Sequence, residues 1–139
     1  MAEFAIVNQG SYIGENAVVG QHCILRKGSV LEAGAVVQRQ ADIANSIFQP
    51  GASIHSGFVG DSIIGADCRI GAGFITANKR FDRASVAVSF HGSNLETTTN
   101  ALGVVMGAQT KVGIHAGTMP GVLLPESSTV MPGEIVKRW

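Results

Sequence analysis

The sequence predicts an all-β fold: a single-stranded left-handed parallel β-helix built on a six-residue repeat, with a protruding arm at about residues 76–103. Three observations carry this expectation. Aliphatic residues recur at every sixth position, a mostly small residue follows each of them by four, and the composition suits a narrow interior, with 18 Gly, 45% hydrophobic residues and only 6% aromatic. Three six-residue units, each a short strand and a corner, close a triangular coil of about 18 residues, so about six coils are expected. Such a coil departs from the right-handed rule for parallel connections. The 139 residues are read as a single domain spanning 1–139.

The repeat runs through Val7, Ile13, Val19, Leu25, Leu31, Val37 and Ile43, with Ser11, Ala17, Cys23, Ser29, Ala35, Ala41 and Ile47 in the small slot. An aliphatic at the centre of each face fills the prism, and a small side chain is needed where the chain turns inward. Cys23 and Cys68 occupy that slot and read as core packing, since no CxxC spacing points to metal or disulfide. Between Phe48 and Ile64 the frame slips by single residues through Ile54 and Val59, as shortened corners would make it, and then reaches Ile70. Hexads resume at Met106, Val112, Thr118, Leu124, Val130 and Val136. Gly14, Gly20, Gly65, Gly71, Gly107 and Gly113 directly follow interior residues and are expected to relieve corner strain. Trp139, beside Lys137 and Arg138, is a candidate cap on the stack.

Strand alternation turns the residue before each interior aliphatic outward. Those residues are Ile6, Tyr12, Val18, Ile24, Val30 and Val36, and their stacking predicts apolar outer columns and self-association about a threefold axis. Thr76 to Gly103 breaks the hexads with ThrAlaAsnLysArgPheAsp, an alternating SerValAlaValSerPhe and a Thr-rich stretch. A connection of that length in a compact fold is expected to be functional, here as an arm that leaves the coil and returns at Leu102 to Gly107.

Charge and motifs exclude several classes. Ten Lys and Arg balance ten Asp and Glu, so no field favours a nucleic acid. No apolar run reaches the roughly 18 residues of a membrane span and no leader pattern opens the chain, which makes the cytoplasm the expected location. Gly71-Ala72-Gly73 lies in hexad register without the strand-loop-helix unit of a dinucleotide site. His22, His55, His91 and His115 lack zinc spacing, and no bound metal is expected. Glu32 and Asp42 show no convergent partner for paired-carboxylate chemistry.

The run HisSerGlyPheValGlyAspSerIleIleGlyAlaAspCysArgIleGlyAlaGlyPheIleThrAlaAsn, His55 to Asn78, resembles the acetyltransferase domain of bifunctional N-acetylglucosamine-1-phosphate uridylyltransferase/glucosamine-1-phosphate acetyltransferases. The following LysArgPheAsp, LeuGly at Leu102 and MetProGly at Met119 are similar to the archaeal-type sugar-1-phosphate nucleotidylyltransferases with acetyltransferase tails. The resemblance spans about four fifths of the chain, without the family's nucleotidylyltransferase domain. It implies acetyl-CoA as the donor substrate, an amino sugar or its 1-phosphate as acceptor, a homotrimer and direct transfer.

The resemblance places a catalytic base at His55, a backbone oxyanion donor at Ala72, an acetyl or sugar contact at Asn78 and a phosphate-binding arginine at Arg26. Imidazole as a residue type suits proton abstraction near neutrality. On the residues alone, His55 also reads as a solvated corner histidine and Arg26 as an ordinary exposed arginine. Two substrate-site positions depart from the family: Phe58 stands where it has tyrosine, and Arg69 where it has asparagine. Its sugar-phosphate lysines appear as Ala44, Ala84 and Ala87, while Arg69, Lys79, Arg80 and Arg83 are either replacements or solvated charges. The rival to the enzyme is a non-catalytic trimeric β-helix, structural or regulatory, partnering a separate sugar-1-phosphate nucleotidylyltransferase or forming the tail of one.

Overall fold

The computed structural model describes residues 1–138; the proposed cap, Trp139, lies outside the described residues. The chain winds into a left-handed parallel β-helix of six three-sided coils plus a seventh strand on one face. Face A takes strands Ile6–Val7, Ile24–Leu25, Ala41–Ala44, Gly57–Gly60, Phe74–Thr76, Gly117–Thr118 and Ile135–Val136. Face B takes Tyr12–Ile13, Val30–Leu31, Ile47–Phe48, Ile63–Ile64, Val104–Met106 and Val122–Leu124. Face C takes Val18–Gln21, Val36–Arg39, Ser53–Ile54, Arg69–Ile70, Lys111–Val112 and Thr129–Val130. Among the described residues no helix is long and apolar enough to cross a membrane.

The predicted register is the observed one. Leu25 pairs with Ile43, an offset of 18, whereas Ile43 pairs with Val59, an offset of 16, so the slips are shortened corners. Shortening also corrects the small slot: Ile47 is half-buried on face B, and Ser46, fully inside, takes the place assigned to it. Interior hydroxyls then satisfy groups that a hydrocarbon would strand. The Ser62 amide donates to Ser46 Oγ at 3.0 Å, and the Val104 amide donates to Ser62 Oγ at 2.9 Å. Phe48 and Phe74 are the largest fully buried side chains, lodged among Leu, Ile and Val from adjacent coils.

Corner glycines act differently from the expectation. Gly65 has no positive φ; a Cβ there would lie 2.5 Å from the Met106 carbonyl oxygen of the next coil. These glycines permit close stacking of coils instead of relieving strain. The left-handed backbone falls two or three residues after the interior aliphatic, where His22 (φ 59°), Asn45 (φ 47°), Asp61 (φ 50°), Asp67 (φ 56°) and His115 (φ 54°) alternate with glycines such as Gly73 (φ 78°). Short polar side chains tolerate this region best, which explains why so many polar residues punctuate an apolar repeat.

The arm occupies residues 77–103 between a face A strand and a face B strand. Its core is an antiparallel hairpin, Ala87–Phe90 with Ser93–Glu96, closed by His91 (φ 46°) and Gly92 (φ 78°), the two positive dihedrals of a type I′ turn. Val86 is buried against Gly121, where the hairpin lies on the last face B coil. At the arm's root the Leu102 amide donates to the Asn78 carbonyl and the Gly103 amide to the Asp61 carbonyl, both at 2.8 Å.

Candidate active site

Apart from the small inward residue, hexad geometry sends the side chains of each corner outward at one edge of the prism, so residues distant in sequence form vertical ladders. The C–A edge carries His55. Its backbone amide donates to the Ile70 carbonyl at 3.0 Å, its carbonyl accepts from the Arg39 amide at 3.2 Å, and its imidazole is exposed. The imidazole has no hydrogen-bond partner among the described residues. One coil further on, Gly71 lies over His55, because Ile70 pairs with Ile54. Ala72 is therefore on the same edge. Its carbonyl accepts from the His115 amide at 2.8 Å, and the next residue, Gly73, donates to the Ser56 carbonyl and Ser56 Oγ. The Ala72 amide makes no backbone hydrogen bond among the described residues, which leaves one donor available to an oxyanion.

The other predicted residues lie elsewhere. Arg26 and Asn78 belong to the A–B edge, across face A from His55. Arg26 donates Nε to Asp42 Oδ1 and Nη2 to Asp42 Oδ2, both at 2.7 Å, a bidentate pair that raises the Arg26 pKa. Asp42 thus has a partner, a cation one coil away and not a second carboxylate. Asn78 Nδ2 donates to Asp61 Oδ2 at 2.7 Å, and Asn45 Nδ2 donates to Asp61 Oδ1 at 2.8 Å. The Phe58 ring lies over Gly60 beside the Asn78 amide: a Cβ at Gly60 would meet the ring at 2.7 Å and Asn78 Nδ2 at 2.9 Å. A side chain at position 60 would collide with both candidate residues, so glycine there leaves the space they occupy.

Arg69 sits on face C with its side chain outward, stacked in register with Lys111. Arg69 and His55 line one groove of about 510 Å³, floored by Ile70, Gly71 and Gly113 and walled by Met131 and Pro132. The structure therefore brings His55, Ala72 and Arg69 to one edge and the adjoining face. Phe58 joins Asn78 and Arg26 toward the opposite margin of face A. Among the described residues no three His, Cys, Asp or Glu side chains converge as a metal site.

No family model matches the chain. Over 98 residues, 70% of this chain and 24% of the relative, it is 34% identical to a bifunctional sugar-1-phosphate nucleotidylyltransferase/acetyltransferase of Sulfurisphaera tokodaii. Over 83 residues, 59% of this chain and 20% of the relative, it is 42% identical to the bifunctional protein GlmU of Methanocaldococcus jannaschii. The chain is a homologue of part of these bifunctional proteins. It spans about a quarter or less of the length of the GlmU-type relatives it matches. Among solved structures, the polySia-specific acetyltransferase NeuO superposes with a TM-score of 0.53 and 14% identity, covering 96% of this chain and 77% of that one. At that identity the likeness is one of fold.

The structure adds to the site three residues for which the sequence suggested no role there. Asp61 holds Asn78, Lys111 stacks on Arg69, and the His115 ring rests on Gly73 next to Ala72, with Nδ1 at 2.7 Å from where a Gly73 Cβ would lie. Lys111 was findable in principle: removing the 24 residues by which the arm lengthens its coil puts Lys111 18 residues after Arg69, the repeat of a full coil. Asp61 and His115 give no such signal, because both read as ordinary left-handed corner residues.

Proposed function

We propose that the chain is an acyl-CoA-dependent transferase that acetylates an amino sugar or amino-sugar 1-phosphate, with acetyl-CoA as donor. The observation that carries this is homology to bifunctional nucleotidylyltransferase/acetyltransferases together with His55 and Ala72 on one edge of the helix, one coil apart. In the proposed step the acceptor's amine lone pair attacks the thioester carbonyl while His55 takes the amine proton. The Ala72 N–H donates to the oxyanion, the C–S bond breaks as the carbonyl reforms, and His55 returns the proton to the CoA thiolate. The base needs no metal, and its exposed position leaves room for the acceptor.

Three copies complete this reading. Face B presents an unbroken outward column of Tyr12, Val30, Ile47, Ile63, Val105 and Leu123, and face A adds Ile6, Ile24, Phe58 and Ile75. The face B column, unbroken over six strands, favours burial against another copy, whereas on face A Asp42 interrupts the apolar residues between Ile24 and Phe58. On the arm Phe81 is fully solvent-exposed in the single chain, an apolar contact for such a neighbour.

The test is release of CoA thiol from acetyl-CoA with glucosamine and glucosamine 1-phosphate. Loss of a general base predicts that His55→Ala lowers kcat by about 10²- to 10⁴-fold with CoA affinity retained. Absence of turnover with any amino sugar, together with absence of CoA binding by calorimetry, would remove the enzyme reading. One observation favours the rival: Arg26 and Asn78 are both engaged within the chain, by Asp42 and Asp61. Nucleotide-sugar synthesis by a separate nucleotidylyltransferase only when this chain is added would support that non-catalytic role.

A further inference from the structure

Face C differs from the other two faces. Its outward column begins apolar with Val18 and Val36 and then turns polar through Ser53, Arg69, Lys111 and Thr129, each paired in register with the next. Arg69 and Lys111 are direct neighbours across two parallel strands, and like charges facing each other in a sheet oppose its formation. Neither has a carboxylate partner among the described residues, whereas Arg26 and Arg80 are each held by an aspartate at 2.7 Å. Asp67 is the acidic residue lining the groove on the B–C side of the pair, outside ion-pair distance. A chain of zero net charge thus stacks two unneutralised cations between two hydroxyl side chains, at the lip of the groove that holds His55.

We propose that Arg69 and Lys111, with Ser53 and Thr129, form a subsite for a phosphoryl group bound in the His55 groove. The subsite rests on the transferase reading only for whose phosphate it takes, that of the acceptor or that of CoA. A dianion between the two cations removes their repulsion and gains charge-assisted hydrogen bonds from the guanidinium and ammonium, with the Thr129 hydroxyl as a donor on one side; on the other, Ser53 Oγ exchanges its long 3.5 Å bond to the Cys68 carbonyl for one to the anion. It also supplies phosphate recognition from a face other than the one that carries Ala44, so the alanines at family lysine positions do not leave the chain without a phosphate grip.

Inorganic phosphate is the first probe, titrated into the full chain without acetyl-CoA and followed by calorimetry or ³¹P line width. Binding that weakens about tenfold or more in Arg69→Gln and in Lys111→Gln, that salt weakens, and that persists in His55→Ala supports the subsite. The same two variants should melt higher than wild type at low ionic strength, and added phosphate should close that gap by stabilising wild type alone. No binding at about 20 mM phosphate, or equal binding in wild type and both Gln variants, overturns the proposal. Steady-state kinetics then separates the sources. A KM increase in the Gln variants larger for glucosamine 1-phosphate than for glucosamine assigns the acceptor, and one larger for acetyl-CoA than for its 3′-dephosphorylated form assigns CoA. If wild type binds phosphate through these residues yet turns over no amino sugar, the subsite stands and the transferase reading falls.

Discussion

Removing the carboxylate of Asp61 should free the arm without unwinding the helix. Asp61 is a left-handed corner residue, so Asp61→Gly keeps its backbone geometry and isolates the side chain. Two amide donors are lost, Asn45 at 2.8 Å and Asn78 at 2.7 Å. A hydrogen bond to a charged group is worth about 1.5–3 kcal/mol when buried. Asp61 is half-buried and Asn45 exposed, which reduces the pair to about 2–3 kcal/mol in total. The loss falls at the arm's root, where Asn78 and Asp61 carbonyls receive the Leu102 and Gly103 amides. At about 1.4 kcal/mol per decade, hydrogen exchange at Leu102, Gly103 and the hairpin should accelerate by about 30- to 150-fold. Amides of the first two coils, such as Tyr12 and Val30, should not change. Asp61→Asn keeps one acceptor oxygen and should show about half the free-energy effect. Unaltered exchange at Leu102 and Gly103 in Asp61→Gly, or equal acceleration in the first coils, would refute the latch.

Gly65→Ala and Gly133→Ala test the two uses of corner glycine. The first forces a Cβ to 2.5 Å from Met106 O and should cost about 2–4 kcal/mol by denaturant unfolding, through overpacking and a strained coil-to-coil hydrogen bond; the second, at φ 72° with nothing nearby, should cost about 1–2 kcal/mol. A smaller loss for Gly65→Ala than for Gly133→Ala would contradict this assignment. Cys23 and Cys68 are buried, and burial also raises the Cys68 pKa, so neither thiol should react with a disulfide reagent at pH 8 until the chain is unfolded. In the arm, hydrogen bonding from Arg80 and from the Ala84 amide lowers the Asp82 pKa from 3.8 to about 2. Its contribution to arm order is therefore present above about pH 4 and lost as pH falls through about 2, and a carboxyl NMR titration midpoint near 4 would contradict the pair.

The interior column was legible because a prism this narrow accepts few side chains. Leu25, Leu31, Val37 and Ile43 are all fully buried, as their spacing required. Tyr12 over Val30 and Val18 over Val36 followed from strand alternation. The arm was legible as a break in period, and its limits agree with the observed departure after Thr76 and return at Val104. The glycine role was not legible, because sequence does not tell a positive φ from a close approach. Nor was the slot of Ser46, since a shortened corner moves the inward position by one residue.

The sequence by itself determined the repeat, the three-sided coil, the arm and the resemblance that drew attention to His55, since each is carried by residues in local register. Tertiary structure decided which residues share an edge. It joined His55 to Ala72 and Arg69, set Arg26 against Asp42, gave Asn78 to Asp61, and stacked Lys111 on Arg69 across an arm that hides their spacing. The physical reason is that a solenoid makes neighbours of residues one coil apart, and coil length varies here from 16 to 42 residues, so vertical contacts are fixed only once every corner has been counted.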